Sequence, residues 1–201
     1  MWARLESNTI VEILTRPKAL NIGGTQYPLN IFSMWSNSEL ATIGIVPVTI
    51  DDTNLKDKEY YINTNQSYAY DTETGVATAS YGTATAIAIA DTLYTAQDET
   101  DGLGTEGEVK QRGLKYAHKE VINQQAAGNL QPTDWMVVRA AEGGTAVPSD
   151  ITTKRAAVRT KANSMQAQID GAADVDALAA LYVYNDATPP VRPLGELPTV
   201  D

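Results

Sequence analysis

The chain has 201 residues, a net charge of −10 at neutral pH and no cysteine. The acidic balance argues against a surface built for DNA, RNA or an anionic membrane, because clustered lysine and arginine neutralise those partners. The lack of cysteine excludes disulfides, thiolate metal sites and cysteine catalysis. No stretch approaches the roughly eighteen apolar residues of a membrane span. Neither nucleic acid nor membrane is therefore an expected partner.

The first thirty residues predict two β-hairpins. Residues 2–15 form two short apolar-rich runs on either side of Ser7-Asn8, which has the composition of a turn. Gly23-Gly24 supplies two residues that adopt positive φ without strain, so a second tight hairpin is expected there.

A short helix and a strand follow the hairpins. Ser36 and Glu39 have the spacing of a capping box, which predicts a helix over residues 36–43 that ends at Gly44. Residues 45–50 are rich in β-branched side chains and predict a strand. Proline donates no ladder hydrogen bond, so Pro47 should place this strand at a sheet edge or at a bulge.

The following residues are rich in tyrosine, threonine and alanine and predict further strands. We expect these strands at residues 58–64, 66–70, 76–81 and 83–90. The last of them has the weakest pattern, since its isoleucines favour a strand and its alanines also permit a helix. Residues 1–94 are interpreted as a β-rich attachment domain, and the acidic, glycine-rich residues 95–107 as a linker.

The second half of the chain predicts a helical domain over residues 108–184. Helices are expected at about residues 108–127, 133–142, 149–170 and 174–183. The fold class is therefore α+β. Residues 185–201 contain four prolines and predict an extended tail with no core of its own. We expect this tail to be pinned to its own chain or to a neighbouring subunit, and its loss to weaken assembly more than folding.

The helix near residue 133 carries the most informative pattern. Thr133 is expected to cap it, Trp135 to face inward as a packing residue, and Gly143-Gly144 to end it. Arg155 and Arg159 lie one turn apart on the next helix. With Arg139, they are expected to pair with carboxylates such as that of Glu142 or with acids of a neighbouring subunit.

This pattern resembles the C-terminal helical region of tailed-phage tail proteins, a loose group that includes tail-assembly chaperones and fibre-associated proteins. The resemblance covers about residues 108–183 and rests on Leu130, Thr133-Asp134-Trp135, Arg139, Pro148, Arg155 and Arg159. The N-terminal region is similar to the same group at Tyr27-Pro28, Ile31-Phe32, Trp35-Ser36, Glu39-Leu40 and residues 44–48. The two patterns occur in the usual order, although residues 66–107 match neither.

Motifs that carry chemistry are weak in this chain. Residues 102–107 match the letters of GxGxxG, but acidic residues crowd the loop and no second strand follows, which favours a flexible hinge. Asp98, Glu99 and Asp101 offer oxygens to calcium with the wrong spacing for an EF-hand. His118 is the single histidine, and the chain has no G-x-S-x-G motif whose serine a histidine base could activate. His118 is therefore expected at a surface or interface. No cofactor, catalytic residue or metal site is predicted.

The resemblance implies a noncatalytic structural component of a phage tail: a baseplate, fibre-adaptor or fibre-proximal protein. It would be synthesised in the host cytoplasm, reside in the virion tail, form homo-oligomers and bind other tail proteins. One alternative is a tail or fibre assembly chaperone that is absent from the mature particle. Another is a module that binds host surface glycans or a receptor, or acts on carbohydrate, through exposed Tyr60, Tyr61, Tyr68, Tyr70 and Tyr81. The candidate interface or structural residues are Trp135, Arg139, Arg155, Arg159, Pro189, Pro190 and Pro193.

Overall fold

A computed structural model describes residues 1–200 and has mixed α+β architecture, with strands concentrated in the first half and helices in the second. The chain forms two compact units, the first ending at Thr85 and the second beginning at Ala86. The strands are β1 Trp2–Glu6, β2 Thr9–Leu14, β3 Leu20–Ile22, β4 Thr25–Tyr27, β5 Ile45–Asp51, β6 Tyr61–Ile62, β7 Gln66–Asp71, β8 Val76–Tyr81, β9 Thr85–Ala86, β10 Thr92–Leu93 and β11 Val109–Gln111. The helices are α1 Ile31–Met34, α2 Asn37–Thr42, α3 Ala96–Thr100, α4 Leu114–Leu130, α5 Asp134–Ala141, α6 Ser149–Gly171 and α7 Val175–Ala180.

The first unit is built on a five-stranded sheet with the order β2-β1-β5-β8-β7. Neighbouring strands are antiparallel except β5 and β8, which are parallel. Side chains alternate between the faces of a strand, so adjacent residues of β5 enter different cores. Ile45 joins a cluster with Leu14 and Leu40, whereas Val46 packs with Ala3 and Ala77 on the other face.

Both predicted hairpins and the predicted capping box are confirmed. Ser7 and Asn8 adopt positive φ in the turn between β1 and β2. The second hairpin pairs β3 with β4 around Gly23-Gly24. At α2, the Ser36 hydroxyl accepts from the Glu39 amide, and the Glu39 carboxylate accepts from the Ser36 amide.

The expected edge position of Pro47 is wrong, because β5 is the central strand of the sheet. Pro47 lies where the pairing of β5 changes partner. Residues up to Pro47 pair with β1, and residues from Val48 onward pair with β8. Proline is tolerated at this position because its missing amide falls where the hydrogen-bond ladder with β1 ends, before the ladder with β8 begins.

The strand expected over residues 83–90 is largely wrong, since only Thr85–Ala86 is extended and paired as a strand. The carbonyls of Ala88 and Ile89 instead accept from the amides of Leu114 and Lys115, at the start of α4. The period-two pattern of alanine and isoleucine therefore marks a segment that covers a helix N-terminus. The first residues of the helix expected at 108–127 form β11, and α4 begins at Leu114.

The second unit is centred on α4 and α6, which pack against each other. Buried side chains recur every three or four residues along both helices, which is the spacing of one helix face. On α4 they are Leu114, His118, Ile122 and Ala126; on α6 they are Arg155, Val158, Ala162, Met165 and Ile169. In the part of the chain that the structure describes, no helix has both the length and the apolar character needed to cross a membrane.

Candidate protein-interaction site

Helix α5 is set firmly at the junction between α4 and α6. A single 3₁₀ turn, Gln131–Thr133, joins it directly to α4, with Pro132 in the first turn. At its other end Gly143 has a φ of +84°, and the Gly144 amide donates to the Arg139 carbonyl at 2.9 Å. A left-handed glycine with this back-bond is a helix C-terminal motif, so the predicted end of the helix is confirmed.

The predicted capping role of Thr133 is wrong. Its hydroxyl makes no hydrogen bond to a free amide of α5. It donates instead to the Leu130 carbonyl at 3.0 Å and accepts from Arg155 Nη1 at 2.5 Å. Thr133 is itself buried, so its hydroxyl needs partners inside the protein, and the arginine of the next helix supplies one.

Arg155 links all three elements of this junction. Only 6% of the residue is exposed. Its Nη1 also donates to the Leu130 carbonyl at 2.8 Å, and its Nη2 donates to Asp134 Oδ1 at 2.7 Å. The expected pairing of Arg155 with a carboxylate is confirmed, although the partner is Asp134 and not Glu142. One guanidinium thus joins the end of α4 and the start of α5 to α6.

Trp135 does not face inward, and this prediction is wrong. The residue is 55% exposed, as is Val138, one turn further along α5. The guanidinium carbon of Arg139 lies 4.8 Å from the centre of the Trp135 ring. We refer to Trp135, Val138 and Arg139 as the α5 ridge. A helix advances about 100° per residue, so these three side chains share one face, and the partly buried Met136 and Ala140 lie on another.

The ridge carries the positive charge of the Arg139 guanidinium. No carboxylate in residues 1–200 lies within ion-pair distance of Arg139, and its buried Nε has no hydrogen-bond partner. The carboxylate partner expected for Arg139 is thus not found among the residues that the structure describes. Arg159 also lacks an ion pair within the described residues. It lines a shallow cavity of about 220 Å³ together with Val137, Val147, Thr152 and Arg155.

The C-terminal segment lies on the helical unit of its own chain. Leu194 is fully buried, its amide donates to the Leu181 carbonyl at 3.0 Å, and its carbonyl accepts from Lys161 Nζ at 2.9 Å. Further along, the Pro198 carbonyl accepts from Asn129 at 3.1 Å. These contacts show that the segment contributes to the protomer, which makes protomer stability the first property expected to suffer from its loss.

A second exposed apolar surface lies beside this segment. Val183, Tyr184 and Val191 are 65%, 51% and 55% exposed and line an open cavity of about 440 Å³, to which Pro193 also contributes. Pro189 and Pro190 are exposed as well. Of the three predicted prolines, only Pro193 lines this cavity, and none of the predicted arginines does.

Arg192 holds the rim of that cavity in place. Its guanidinium lies over the rings of Tyr182 and Tyr184, at 5.5 and 5.4 Å from their centres, and pairs with Glu196. The Tyr184 hydroxyl donates to the same carboxylate at 2.6 Å, and this hydrogen bond raises the pKa of Tyr184. Arg192 is thus already neutralised, unlike Arg139.

The tyrosines proposed as a glycan-stacking surface do not form a common exposed surface, because only Tyr68 of the five is exposed. Tyr60 is buried, and Tyr70 packs against the sheet core. Tyr68 is 37% exposed. The expected surface position of His118 is also wrong, because this residue is buried and its Nδ1 lies 2.8 Å from the Tyr182 hydroxyl.

The segment expected to be a flexible linker folds into a local unit. The Thr95 hydroxyl and the Asp98 carboxylate cap α3 reciprocally, and β10 pairs with β11 on either side. Asp98 also pairs with Lys110 at 2.7 Å; this hydrogen bond, together with those from Thr95, lowers the pKa of Asp98 to about 2. The GxGxxG letters thus precede a strand, not the helix that a dinucleotide site requires.

Within residues 1–200, no group of three or more histidine, aspartate or glutamate side chains is placed to hold a metal ion. A comparison of the chain with known protein families, curated proteins and solved structures found no match. The candidate binding surfaces are therefore the two exposed apolar surfaces, the α5 ridge and the surface around Tyr184. The sequence does not predict the exposure of Val138, Val183 and Tyr184, because no local pattern shows which face of a short apolar run is left in solvent.

Proposed function

We propose that the protein is a noncatalytic structural component of a bacteriophage tail: a baseplate, fibre-adaptor or fibre-proximal protein that binds other tail proteins. The observation that carries this proposal is the α5 ridge, where Trp135 and Val138 lie in solvent on a helix whose first residue, Asp134, is bound by Arg155 of α6. The sequence resemblance to tail proteins supplies the biological setting. The protein would be made in the host cytoplasm and reside in the virion tail.

The composition of the ridge suits protein recognition. Tryptophan and arginine are the residues most enriched among those that dominate binding energy at protein interfaces. In the ridge they are adjacent, with the Arg139 guanidinium stacked on the Trp135 ring. The helix beneath is fixed at one end by Arg155 and at the other by Gly143. A prearranged surface of this kind loses little conformational entropy when a partner binds.

A tail or fibre assembly chaperone is the second candidate, because such a protein also exposes apolar surface to bind other tail proteins. The glycan-binding alternative has less support, since Tyr60 is buried and only Tyr68 of the five tyrosines is exposed. Particle composition separates the first two candidates, and glycan binding by the isolated protein tests the third.

The test is quantitative mass spectrometry of tailed particles purified from cultures in which this gene is expressed. A structural component should be present at a fixed ratio to the other tail proteins. Presence in the lysate with absence from the particles would favour the chaperone. If the particles form with normal tails after deletion of the gene, both assembly roles are wrong.

A variant test addresses the ridge directly. Trp135→Ala should reduce incorporation into particles while leaving the amount of folded protein unchanged, because the ring is not part of a core. Tyr68→Ala is the matched control, since it also removes a partly exposed aromatic side chain, in the first unit. Equal incorporation of both variants would show that the ridge has no role in assembly.

A further inference from the structure

The α5 ridge combines an apolar surface with an unneutralised cation on a chain of net charge −10. Acidic residues outnumber basic ones by 25 to 15, yet none lies within ion-pair distance of Arg139 in residues 1–200. The chemistry that fits the ridge is a carboxylate next to an apolar side chain. The same unit of this protein carries such a surface.

That surface is residues 99–108, which we call the acidic loop. Leu103 is 59% exposed at its centre. The carboxylates of Glu106 and Glu108 are exposed and have no ion pair or hydrogen bond within the described residues. The acidic loop therefore offers unpaired negative charge beside an exposed leucine, which is the complement of the ridge.

The acidic loop is held in shape by contacts on its inner side. The Gly107 amide donates to the Tyr94 carbonyl at 3.0 Å, and the Leu103 amide donates to the Asp98 carbonyl at 2.9 Å. Gly104 lies so close to the Tyr94 ring that a Cβ there would stand 2.5 Å from it. Leu103 and the two glutamates are thus presented from a defined backbone.

We propose that the α5 ridge of one copy binds the acidic loop of the next copy, so that the protein associates head to tail. Leu103 would pack on Trp135 and Val138, and Glu106 or Glu108 would pair with Arg139. The proposal rests on the proposed role as a repeated tail component and names one of its partners as a second copy of this chain. In this head-to-tail arrangement each copy uses its ridge toward one neighbour and its acidic loop toward another, which is a heterologous contact and builds a ring or a filament.

The physical properties of such a contact are specific. A ridge of three residues gives weak association for a single contact, and closure of a ring strengthens it because the last contact then forms within one assembly. The ion pairs lie at the rim, where salt screens them, so association should weaken as ionic strength rises. The tryptophan supplies apolar area that salt does not screen.

Sedimentation velocity of the full-length protein tests the proposal, in a concentration series up to about 200 µM, where contacts of micromolar to submillimolar affinity are populated. The wild-type protein should form species larger than a dimer, and fewer of them in about 0.5 M salt than in about 0.05 M salt. Trp135→Ala should weaken the association at least about tenfold, as for an interface hot spot.

Charge reversal identifies the two surfaces. Arg139→Glu should weaken association, and so should Glu106→Lys combined with Glu108→Lys. The chain that carries all three reversals should associate again, since the complementary charges are then exchanged. Asp52→Lys combined with Glu73→Lys is the control, because it changes net charge by the same amount as the loop double variant, at exposed residues of the first unit.

Each other result overturns the proposal. A monomer at every concentration would overturn the contact between copies, whereas the proposed function, which is tested by virion incorporation, would stand. A dimer that is sensitive to Trp135→Ala but insensitive to the loop reversals would mean a symmetric ridge-to-ridge contact. Loss of association in the triple variant, with circular dichroism unchanged, would mean that the two surfaces do not meet.

Discussion

Replacing Arg155 with lysine is the sharpest test of how the helical unit is held together. The guanidinium donates to the Leu130 carbonyl, the Thr133 hydroxyl and the Asp134 carboxylate at 2.8, 2.5 and 2.7 Å. Two of these acceptors are bound by Nη1 and the third by Nη2 of the planar guanidinium. Lysine keeps the charge but has a single ammonium group on a different stem, so it cannot reproduce that geometry.

The expected loss follows from the separate contacts. A hydrogen bond that involves a charged group contributes about 1.5–3 kcal/mol net, and lysine should retain one of the three. The Asp134 side chain is 55% exposed, so solvent screening limits the contribution of the Arg155–Asp134 ion pair to stability to about 0–1 kcal/mol. The Leu130 carbonyl keeps its hydrogen bond from Thr133. We therefore expect Arg155→Lys to lower the free energy of unfolding by about 1–3 kcal/mol.

Urea denaturation of the full-length protein, followed by far-ultraviolet circular dichroism, measures this loss. Hydrogen exchange of peptides from α4, α5 and α6 assigns it to the second unit. Arg159→Lys is the matched control, because Arg159 lies one turn further along α6, is exposed and has no ion pair in the described residues. The control should change stability by no more than about 0.5 kcal/mol.

Two results would refute this reasoning. If Arg155→Lys changes the free energy of unfolding by no more than the Arg159→Lys control, the hydrogen bonds of the Arg155 guanidinium make no measurable contribution to stability. If Asp134→Asn costs as much as Arg155→Lys, the ion pair dominates, and the bonds to Leu130 and Thr133 are incidental. A loss that is larger for Arg155→Lys than for Asp134→Asn supports the assignment.

Three further predictions concern other parts of the chain. Trp135→Ala should lower the free energy of unfolding by no more than about 1 kcal/mol, the size of an exposed stacking contact with Arg139; a loss above about 3 kcal/mol in urea denaturation would mean that the ring is part of a core. Leu194→Ala should lower the free energy of unfolding by about 2–5 kcal/mol in the same assay, because Leu194 is fully buried. Pro190→Ala, at an exposed position, should lower it little. Similar effects of the two variants would contradict the docking of the C-terminal segment. The carboxyl of Asp98 should titrate near pH 2 by NMR, because its folded pKa lies below its ordinary value of 3.8. The stabilising effect of the ionised carboxylate is therefore complete above pH 3.8 and is lost as the pH falls toward 2. Amide protection over residues 94–110 should fall over the same pH range in the wild-type protein but not in Asp98→Asn.

The elements predicted correctly are those whose signals are local. The hairpin at Gly23-Gly24, the capping box of Ser36 and Glu39, and the helix end at Gly143 each depend on a few consecutive residues. In all three, backbone conformation or a hydrogen bond within four residues decides the structure. The α+β architecture followed from these elements because their order along the chain already separates strands from helices.

The errors occurred where distant residues decide the outcome. Pro47 is central because β8 pairs in parallel beside β5, which no local pattern reveals. The acidic, glycine-rich composition of residues 95–107 predicts a linker, yet Asp98 pairs with Lys110, twelve residues further along. Likewise, the buried position of His118 depends on Tyr182, sixty-four residues away.

The outward orientation of Trp135 has a cause that lies on another helix. Residues 135–138 are all apolar, so periodicity alone selects no inner face for α5. Arg155 selects it by binding Thr133 and Asp134, which sets the rotation of the first turn of α5. With about 100° between successive residues, that rotation leaves Trp135 and Val138 in solvent. The buried cation and the exposed ridge are therefore two consequences of one arrangement, and any variant that loosens Arg155 should also disturb the binding proposed for the ridge.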